Sequence, residues 1–323
     1  MSGILYLSED DIARLPVSVS DIHETVKAVF RAKSVGGTLM KPKLSISPQP
    51  GHVAEALVGV LLDDGIAGCK WLGVSRSNAA LGLPTLHATI MLSGIEDGRL
   101  RTVMDGRWVT GVRTAACTAI AAEHMAPAEG RTIGFVGCGL QARTHLQALR
   151  HIRTGLTRAR LFSRTVDTAQ RFANYCREQG VEAVVCAEPR QVVEESDIIV
   201  STVPPAGGLQ PFLDAAWVKP GAFVGAVDLG RSWKADSWKN AFAFVATDDR
   251  EQSETRGRTG AMLVPDRFDA ELGELAERFP AHGAGPTDRT AMLFSGIALA
   301  DVAVGALVEA IARREGIGKI LAR

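Results

Sequence analysis

The chain has 323 residues, of which 46% are hydrophobic and 22% are charged, and 36 basic side chains balance 36 acidic ones. This length and composition predict a folded protein of two domains and argue against a disordered chain. The zero net charge offers no basic excess for nucleic acid or an anionic membrane, the N-terminus lacks the basic segment of a secretory signal, and no apolar run is long enough for a transmembrane helix.

The first 125 residues predict an α+β region. Leu5 to Leu7 predicts a strand, followed by a helix that Ser8 caps, and a second helix capped by Ser20 ends at Gly36–Gly37. Short apolar runs separated by turn residues then predict a largely antiparallel sheet. The runs are 57–62, 66–74, 86–92 and 100–104. An Ala-rich segment, 108–125, predicts a helix that leads into the next domain.

From Arg131 onward, strands and helices alternate, which predicts a Rossmann-type, doubly wound α/β domain. Strands are predicted at 132–136, 159–163, 197–203, 222–228 and 242–247, and helices at 142–152 and 167–179, the second capped by Asp167. A long amphipathic helix is predicted at 294–313. The fold class predicted for the chain is therefore α/β, with a Rossmann domain and an α+β domain.

A glycine-rich turn, Gly137-Cys138-Gly139, lies directly between a predicted strand and a predicted helix, with Ala142 at the third motif position. Glycines allow a pyrophosphate to approach the backbone closely, and a helix N-terminus offers free N–H groups to it. A strand, turn, helix and second strand within about thirty residues provide the context that the motif requires. We therefore place a dinucleotide on Gly137, Gly139, Leu140 and Gln141.

The second strand of this unit ends in Ser163, Arg164 and Thr165, where NAD-preferring sites usually have an acidic residue. A guanidinium and hydroxyls suit a 2′-phosphate through charge-assisted hydrogen bonds, so the sequence predicts NADP(H) as the preferred cofactor, with NAD(H) still possible. Arg164 can also be read as a solvated surface residue. Thr202 and Val203, at the end of the third predicted strand, complete the proposed cofactor set.

Three cations stand out in the first region: Lys43, Lys70 and Arg113. Lys70 interrupts an apolar strand and Arg113 lies among small residues, where a charge is costly without a role or a partner. Converging cations can hold a substrate carboxylate, and a lysine among them can also move a proton. The alternative is that each one pairs with an internal acid such as Glu55 or Asp105.

The five cysteines are widely spaced and include no Cys-x-x-Cys pair, and the seven histidines form no metal-binding motif. The spacing predicts free thiols, a cytoplasmic location and no metal site.

With these residues in view, the chain resembles the ornithine cyclodeaminase/μ-crystallin family. The matching segments run nearly from end to end. They are the segment around Lys43, the strand AGCKWLG, the block TGVRTAACTAIAAEHMAP, the turn IGFVGCGLQARTHLQAL and the tail PTDRTAMLFSGIALADVAVGALV.

The resemblance implies a Rossmann domain, residues 119–301, inserted in a substrate-binding and dimerisation domain formed by 1–118 and 302–323. The partners it implies are a small amino or imino acid and a second copy of the chain, which docks through the sheet of that domain.

The resemblance also implies site residues. Lys70 and Arg113 match the substrate-carboxylate cations, and Lys70 is also the candidate acid/base. Lys43 stands where the family usually has arginine, so it keeps the charge but loses the bidentate fork. Thr114 matches a cofactor-phosphate contact, and Ser295 lies in the segment near the nicotinamide.

One loop departs from the family pattern. Cyclodeaminases carry an aspartate after the fifth Rossmann strand, where it handles the amino groups, and Gly230 stands at that place in AVDLGRSWKAD. Asp228, two residues earlier, is the candidate catalytic substitute, whereas Arg231 repels the cations of a diamino substrate.

The expected function is therefore NADP(H)-dependent reduction of an imine or ketimine carboxylic acid. Arg113 and Lys43 hold the carboxylate, and Lys70 relays the proton. Ornithine-type cyclodeamination with recycled bound NAD, amino-acid dehydrogenation and a crystallin-like ligand-binding protein without turnover remain the alternatives.

Overall fold

The computed structural model describes residues 3–204, 209–263, 265, 267–277 and 285–322. The chain divides into two compact units: the first comprises 1–113 and 297–323, and the second comprises 114–296. The sequence places these junctions at 118/119 and 301/302. The first junction lies within one helix, α3 (Arg107–Met125), so no loop marks it in the sequence.

The first unit is built on a single mixed sheet of eight strands. Its strands are β1 (Gly3–Leu7), β2 (Thr38–Met40), β3 (Leu44–Ile46), β4 (His52–Leu61), β5 (Ile66–Ser75), β6 (Leu86–Gly94), β7 (Leu100–Asp105) and β16 (Lys319–Ala322). The order across the sheet is β16-β1-β7-β6-β5-β4-β2, with β3 also paired to β4. All pairs are antiparallel except β1 with β7, which confirms the largely antiparallel sheet.

Two helices of the first unit are α1 (Glu9–Ala13) and α2 (Val19–Ser34). The cap of α1 is Ser8, as predicted, but the cap of α2 is Ser18 and not Ser20. Ser18 and Asp21 form a reciprocal capping box, which satisfies two backbone N–H groups and fixes the start of the helix there.

The last helix, α10 (Ala298–Glu315), begins four residues later than the predicted 294–313. Gly296 has a φ of +85°, which lies outside the right-handed helical region, so the helix can begin only after this residue. Helix α10 packs on β4, β5, β6 and α2. Gly316, also at positive φ, ends the helix, and the unpredicted strand β16 follows.

The second unit confirms the Rossmann-type fold, because every strand pair in its sheet is parallel. Its strands are β8 (Thr132–Val136), β9 (Arg158–Phe162), β10 (Glu182–Val185), β11 (Ile198–Ser201), β12 (Phe223–Ala226), β13 (Phe244–Thr247), β14 (Ala270–Glu271) and β15 (Thr290–Leu293). The sheet order is β10-β9-β8-β11-β12-β15-β13-β14. The direction of winding reverses between β8 and β11, where open α/β sheets bind their ligands.

The helices of this unit are α4 (Leu140–Ile152), α5 (Val166–Glu178), α6 (Pro189–Glu195), α7 (Ala235–Trp238), α8 (Arg250–Arg258) and α9 (Leu272–Glu277). The cap residue of α5 is Thr165 and not Asp167, because the helix starts one residue before the predicted cap. None of the described helices is long and apolar enough to cross a membrane.

Candidate active site

The glycine turn follows β8 at the reversal of strand order and leads directly into α4. Gly137 has a φ of +99°, and a Cβ built there would lie 2.6 Å from Oγ1 of Thr202. The same hydroxyl donates to the carbonyl oxygen of Gly137 at 3.0 Å. Thr202, one of the predicted cofactor residues, therefore fixes the turn from the neighbouring strand end.

Gly139 is the N-cap residue of α4, and a Cβ built there would meet nothing within 4 Å. No side chain caps this helix. The backbone N–H groups of Leu140 and Gln141 belong to the first turn of the helix, where they have no intrahelical acceptor. Their position and the open space at Gly139 fit the pyrophosphate of a dinucleotide.

The residues that follow β9 lie beside this turn, since the backbone N–H of Gly137 donates to the carbonyl of Phe162 at 2.9 Å. Arg164 is exposed there and, among the described residues, has no hydrogen-bonding or ionic partner. Thr165 is the N-cap residue of α5, and its hydroxyl donates to the hydroxyl of Thr168 at 2.8 Å. Ser163 is half-buried. This segment stands where a Rossmann fold binds the ribose of the adenosine.

The carboxylate of Asp228 is buried and held from several sides. It accepts hydrogen bonds from the hydroxyls of Ser201 at 3.0 Å and Ser232 at 2.6 Å, and from the backbone N–H of Gly230 at 3.2 Å. Burial raises the pKa of Asp228, and the bond from Ser232 opposes that rise. These contacts indicate that Asp228 holds its own loop in place. Val203 joins the loop too, because its carbonyl accepts from Arg231 at 3.2 Å.

The Ser295 segment is fixed by an acid that sequence reasoning missed. Asp248, buried at the end of β13, accepts the backbone N–H groups of Ser295 at 2.9 Å and Gly296 at 2.6 Å. The side chain of Gln252 donates to the carbonyl of Gly296. The sequence offers no signal for this contact beyond an Asp directly after a buried strand. Thr114, also in the second unit, is buried in α3.

The three cations of the first unit are brought to one face of its sheet. Lys70 faces α10 from β5, in a cross-strand row with Leu57, Ile90 and Met104, all buried. Its ammonium nitrogen lies 2.8 Å from each oxygen of Asp301 on α10. Asp301 is fully buried, and Lys70 has only 2% of its surface exposed.

Asp301 also accepts a hydrogen bond from Arg113, whose Nε lies 2.8 Å from Oδ1. Lys43 lies 3.9 Å from Glu55 and is close enough to act on the charge of Lys70. All three cations therefore pair with an internal acid, as the alternative interpretation of the sequence expects. The sequence offers Glu55 and Asp105 as possible acid partners, and Glu55 does pair with Lys43. The partner of Lys70 is not Asp105 but Asp301, which lies 231 residues away and was missed.

Close approach of α10 to the sheet makes the Lys70 contact possible. A Cβ on Gly68 of β5 would lie 2.7 Å from Val302, the residue after Asp301. A larger residue at position 68 would push the helix outward, and the short side chain of Asp301 would no longer reach the ammonium.

The environment of Lys70 favours its neutral form. Burial, followed by the charge of Arg113, lowers the pKa of Lys70 from 10.5 to about 7, while Asp301 acts in the opposite direction. A lysine with this pKa can give and take a proton near neutral pH, and this is the property that a proton relay needs.

Comparison with known proteins relates this arrangement to a family. The model of the ornithine cyclodeaminase/mu-crystallin family matches residues 7–315. An alanine dehydrogenase of Archaeoglobus fulgidus is 28% identical over 322 residues, covering 97% of each chain. The ketimine reductase mu-crystallin of Rattus norvegicus is also 28% identical and covers 94% of this chain and 96% of its own. An archaeal alanine dehydrogenase dimer with bound NAD superposes with a TM-score of 0.86 at 26% identity, covering 98% of both chains.

Proposed function

The chain belongs to the ornithine cyclodeaminase/mu-crystallin family, and from this premise we propose that it is an NADP(H)-preferring reductase of an imine or ketimine carboxylic acid. The observation that carries the proposal is the cluster of Lys43, Lys70 and Arg113 on one sheet face. With Glu55 and Asp301 these cations form a five-residue charge cluster. Three cations and two carboxylates leave one net positive charge, which suits a single substrate carboxylate.

Imine reduction adds a hydride to the carbon of the C=N bond and a proton to its nitrogen. A nicotinamide, when bound, supplies the hydride. In the proposal, Arg113 and Lys43 bind the carboxylate, and Lys70 donates the proton. The glycine turn and α4 would hold the cofactor through Gly137, Gly139, Leu140 and Gln141.

The Asp228 loop supports reduction over ornithine cyclodeamination. Gly230 stands where the family resemblance implies an aspartate in cyclodeaminases. It has a φ of +73°, and a Cβ built there would lie 2.5 Å from Cβ of Leu263. This contact leaves no room for an aspartate side chain at this position. Asp228, the candidate substitute, has both carboxylate oxygens engaged by its own loop, through the backbone N–H of Gly230 and the hydroxyl of Ser232.

The proposal is tested by mixing the purified protein with a panel of compounds. Nicotinamide absorbance is followed with NADPH or NADH for the reductions, and ammonia release is followed with NAD⁺ for ornithine, because cyclodeamination leaves the cofactor without net change. The panel contains Δ1-pyrroline-2-carboxylate and Δ1-piperideine-2-carboxylate as cyclic ketimine acids, pyruvate with ammonia as the alanine dehydrogenase reaction, and ornithine. We expect oxidation of the cofactor with a ketimine acid. Turnover of ornithine alone would favour the cyclodeaminase, and no turnover at all would favour the ligand-binding alternative.

Cofactor preference is expected to depend on Arg164. Arg164→Ala should weaken NADPH binding by roughly 1.5–3 kcal/mol, the usual contribution of a hydrogen bond to a charged group, and leave NADH binding unchanged. Fluorescence titration of both nucleotides measures this. Arg171→Ala, which removes an exposed guanidinium further along α5, is the matched control and should affect neither. Equal losses for the two nucleotides, or a wild type that prefers NADH, would contradict the assignment.

A homodimer is proposed from the face of the first sheet opposite Lys70. Tyr6, Val103, Met91, Cys69 and Val58 are cross-strand neighbours in one row on that face. Tyr6, Val58 and Met91 are exposed there. A row of apolar residues across a sheet is typical of an interface, and the NAD-bound archaeal relative is a dimer.

We expect the wild type to sediment as a dimer at micromolar concentration. Met91→Glu, at the centre of the row, should dissociate it, because two carboxylates would be buried at the interface. Val35→Glu changes an exposed apolar residue at the end of α2 and should leave the dimer intact. A fully active wild-type monomer would sink this proposal. A cytoplasmic location is also proposed, in line with five free thiols.

A further inference from the structure

We propose that Asp301 is a positioning residue of the reaction: it holds the Lys70 ammonium and the Arg113 guanidinium on one buried carboxylate, and thereby keeps Lys70 in the protonated, proton-donating form. This inference rests on the proposed reductase function. Asp301 does not touch the substrate in the proposal, and it acts through the two cations.

The geometry supports a shared carboxylate. Oδ1 of Asp301 accepts from both Lys70 and Arg113 at 2.8 Å, and Lys70 is equally close to Oδ2. The contact with Nε fixes the plane of the guanidinium, and the contact with Nζ ties β5 to α10. One side chain therefore sets the orientation of two of the three proposed carboxylate-binding cations.

The charges around Lys70 make Asp301 decisive for its proton. The described groups that act on it are Arg113 from α3, Asp301 from α10 and Lys43 from the segment before β3, with Glu55 of β4 next to Lys43. Burial, Arg113 and Lys43 all lower the pKa of Lys70, and only Asp301 raises it. Without this carboxylate, the pKa of Lys70 would fall below about 7.

The first readout is the pH dependence of kcat/KM, which reports the free enzyme. With Δ1-pyrroline-2-carboxylate and NADPH, wild-type kcat/KM should be level below pH 7 and fall about tenfold per pH unit above it, since protonated Lys70 is the donor. In Asp301→Asn this limb should move to lower pH by roughly 1–3 pH units, the effect of losing a nearby opposite charge. Activity lost at pH 8 should return as the pH is lowered.

Glu309→Gln is the matched control. Glu309 is another buried acid on α10, two turns beyond Asp301, and it pairs with Arg101 and Arg313. Its loss should affect stability and leave the limb near pH 7. Asp301→Glu keeps the charge and lengthens the side chain, so it should restore the position of the limb with lower turnover.

The second readout needs no activity, so it separates failure of this inference from failure of the proposed function. Unfolded Lys70 keeps its proton below its ordinary pKa of 10.5, while native Asp301→Asn loses it below pH 7. The ratio of its unfolding constant to that of wild type should fall about tenfold per rise of one pH unit in the window just below pH 7. Glu309→Gln should show a constant ratio. A flat ratio in Asp301→Asn would overturn the inference, and so would an unshifted limb.

Discussion

Replacing Lys70 by methionine is expected to lower kcat for ketimine reduction by about 10²- to 10⁴-fold, the contribution of a positioned acid or base. Methionine keeps much of the volume of the lysine stem but has no proton to donate. The row of Leu57, Ile90 and Met104 around the side chain already suits an apolar residue. Single-turnover measurements with saturating NADPH would report the chemical step directly.

The same substitution should leave the protein folded. Arg113 stays on Oδ1 of Asp301, so the buried carboxylate keeps one charged partner, and the loss in the free energy of unfolding should stay below the cost of an unpaired buried charge, about 3–5 kcal/mol. Lys219→Met, which removes a cation from a pair with Asp197 in the second unit, is a matched control and should keep full turnover. A Lys70→Met protein that is destabilised but still active would show that Lys70 is only a structural cation.

Replacing Gly137 by alanine is expected to abolish useful cofactor binding and to destabilise the second unit. The φ of +99° is unfavourable for alanine, at a cost of about 1–3 kcal/mol, and the added Cβ would lie 2.6 Å from Oγ1 and 2.9 Å from the carbonyl oxygen of Thr202. Because one of these atoms is backbone, the clash cannot be relieved by a rotamer change. The melting temperature and NADPH affinity should fall together.

Gly139→Ala separates the two effects. Its Cβ would meet no protein atom within 4 Å, and the φ of Gly139 is −90°, so stability should fall only by about 0.5–1 kcal/mol, the cost of alanine in place of glycine at an N-cap. If the pyrophosphate lies against this backbone, NADPH affinity should still fall by about tenfold or more, which is ~1.4 kcal/mol. Unchanged affinity in Gly139→Ala would place the dinucleotide elsewhere.

The sequence predicts the central strands of both units because burial imposes a clear pattern on them. In the second unit, the predicted strand at 132–136 matches β8 residue for residue, and the glycine turn follows it as expected. The cations Lys70 and Arg113 were found because a charge among apolar or small residues needs a reason.

The features that the sequence does not reveal depend on contacts between distant segments. Asp301 lies within an apolar tail, and nothing in that tail indicates a lysine 231 residues earlier as its partner. The start of α10 was misplaced because the segment 294–300 is mostly apolar. The helix is delayed by the positive φ of Gly296 and by Asp248, a distant residue that binds the backbone there. Strand β16 is four exposed residues long, too short for any alternation to show.

The most direct test of the central claim uses NADPH deuterated at both C4 positions and follows the label during turnover of Δ1-pyrroline-2-carboxylate. If the protein is a reductase, each NADPH oxidised should place one deuterium on the α-carbon of the proline formed. Lys70→Met should transfer the label far more slowly than the wild type. A protein that consumes no NADPH with any ketimine acid, or that converts ornithine without net change in the cofactor, would contradict the assignment.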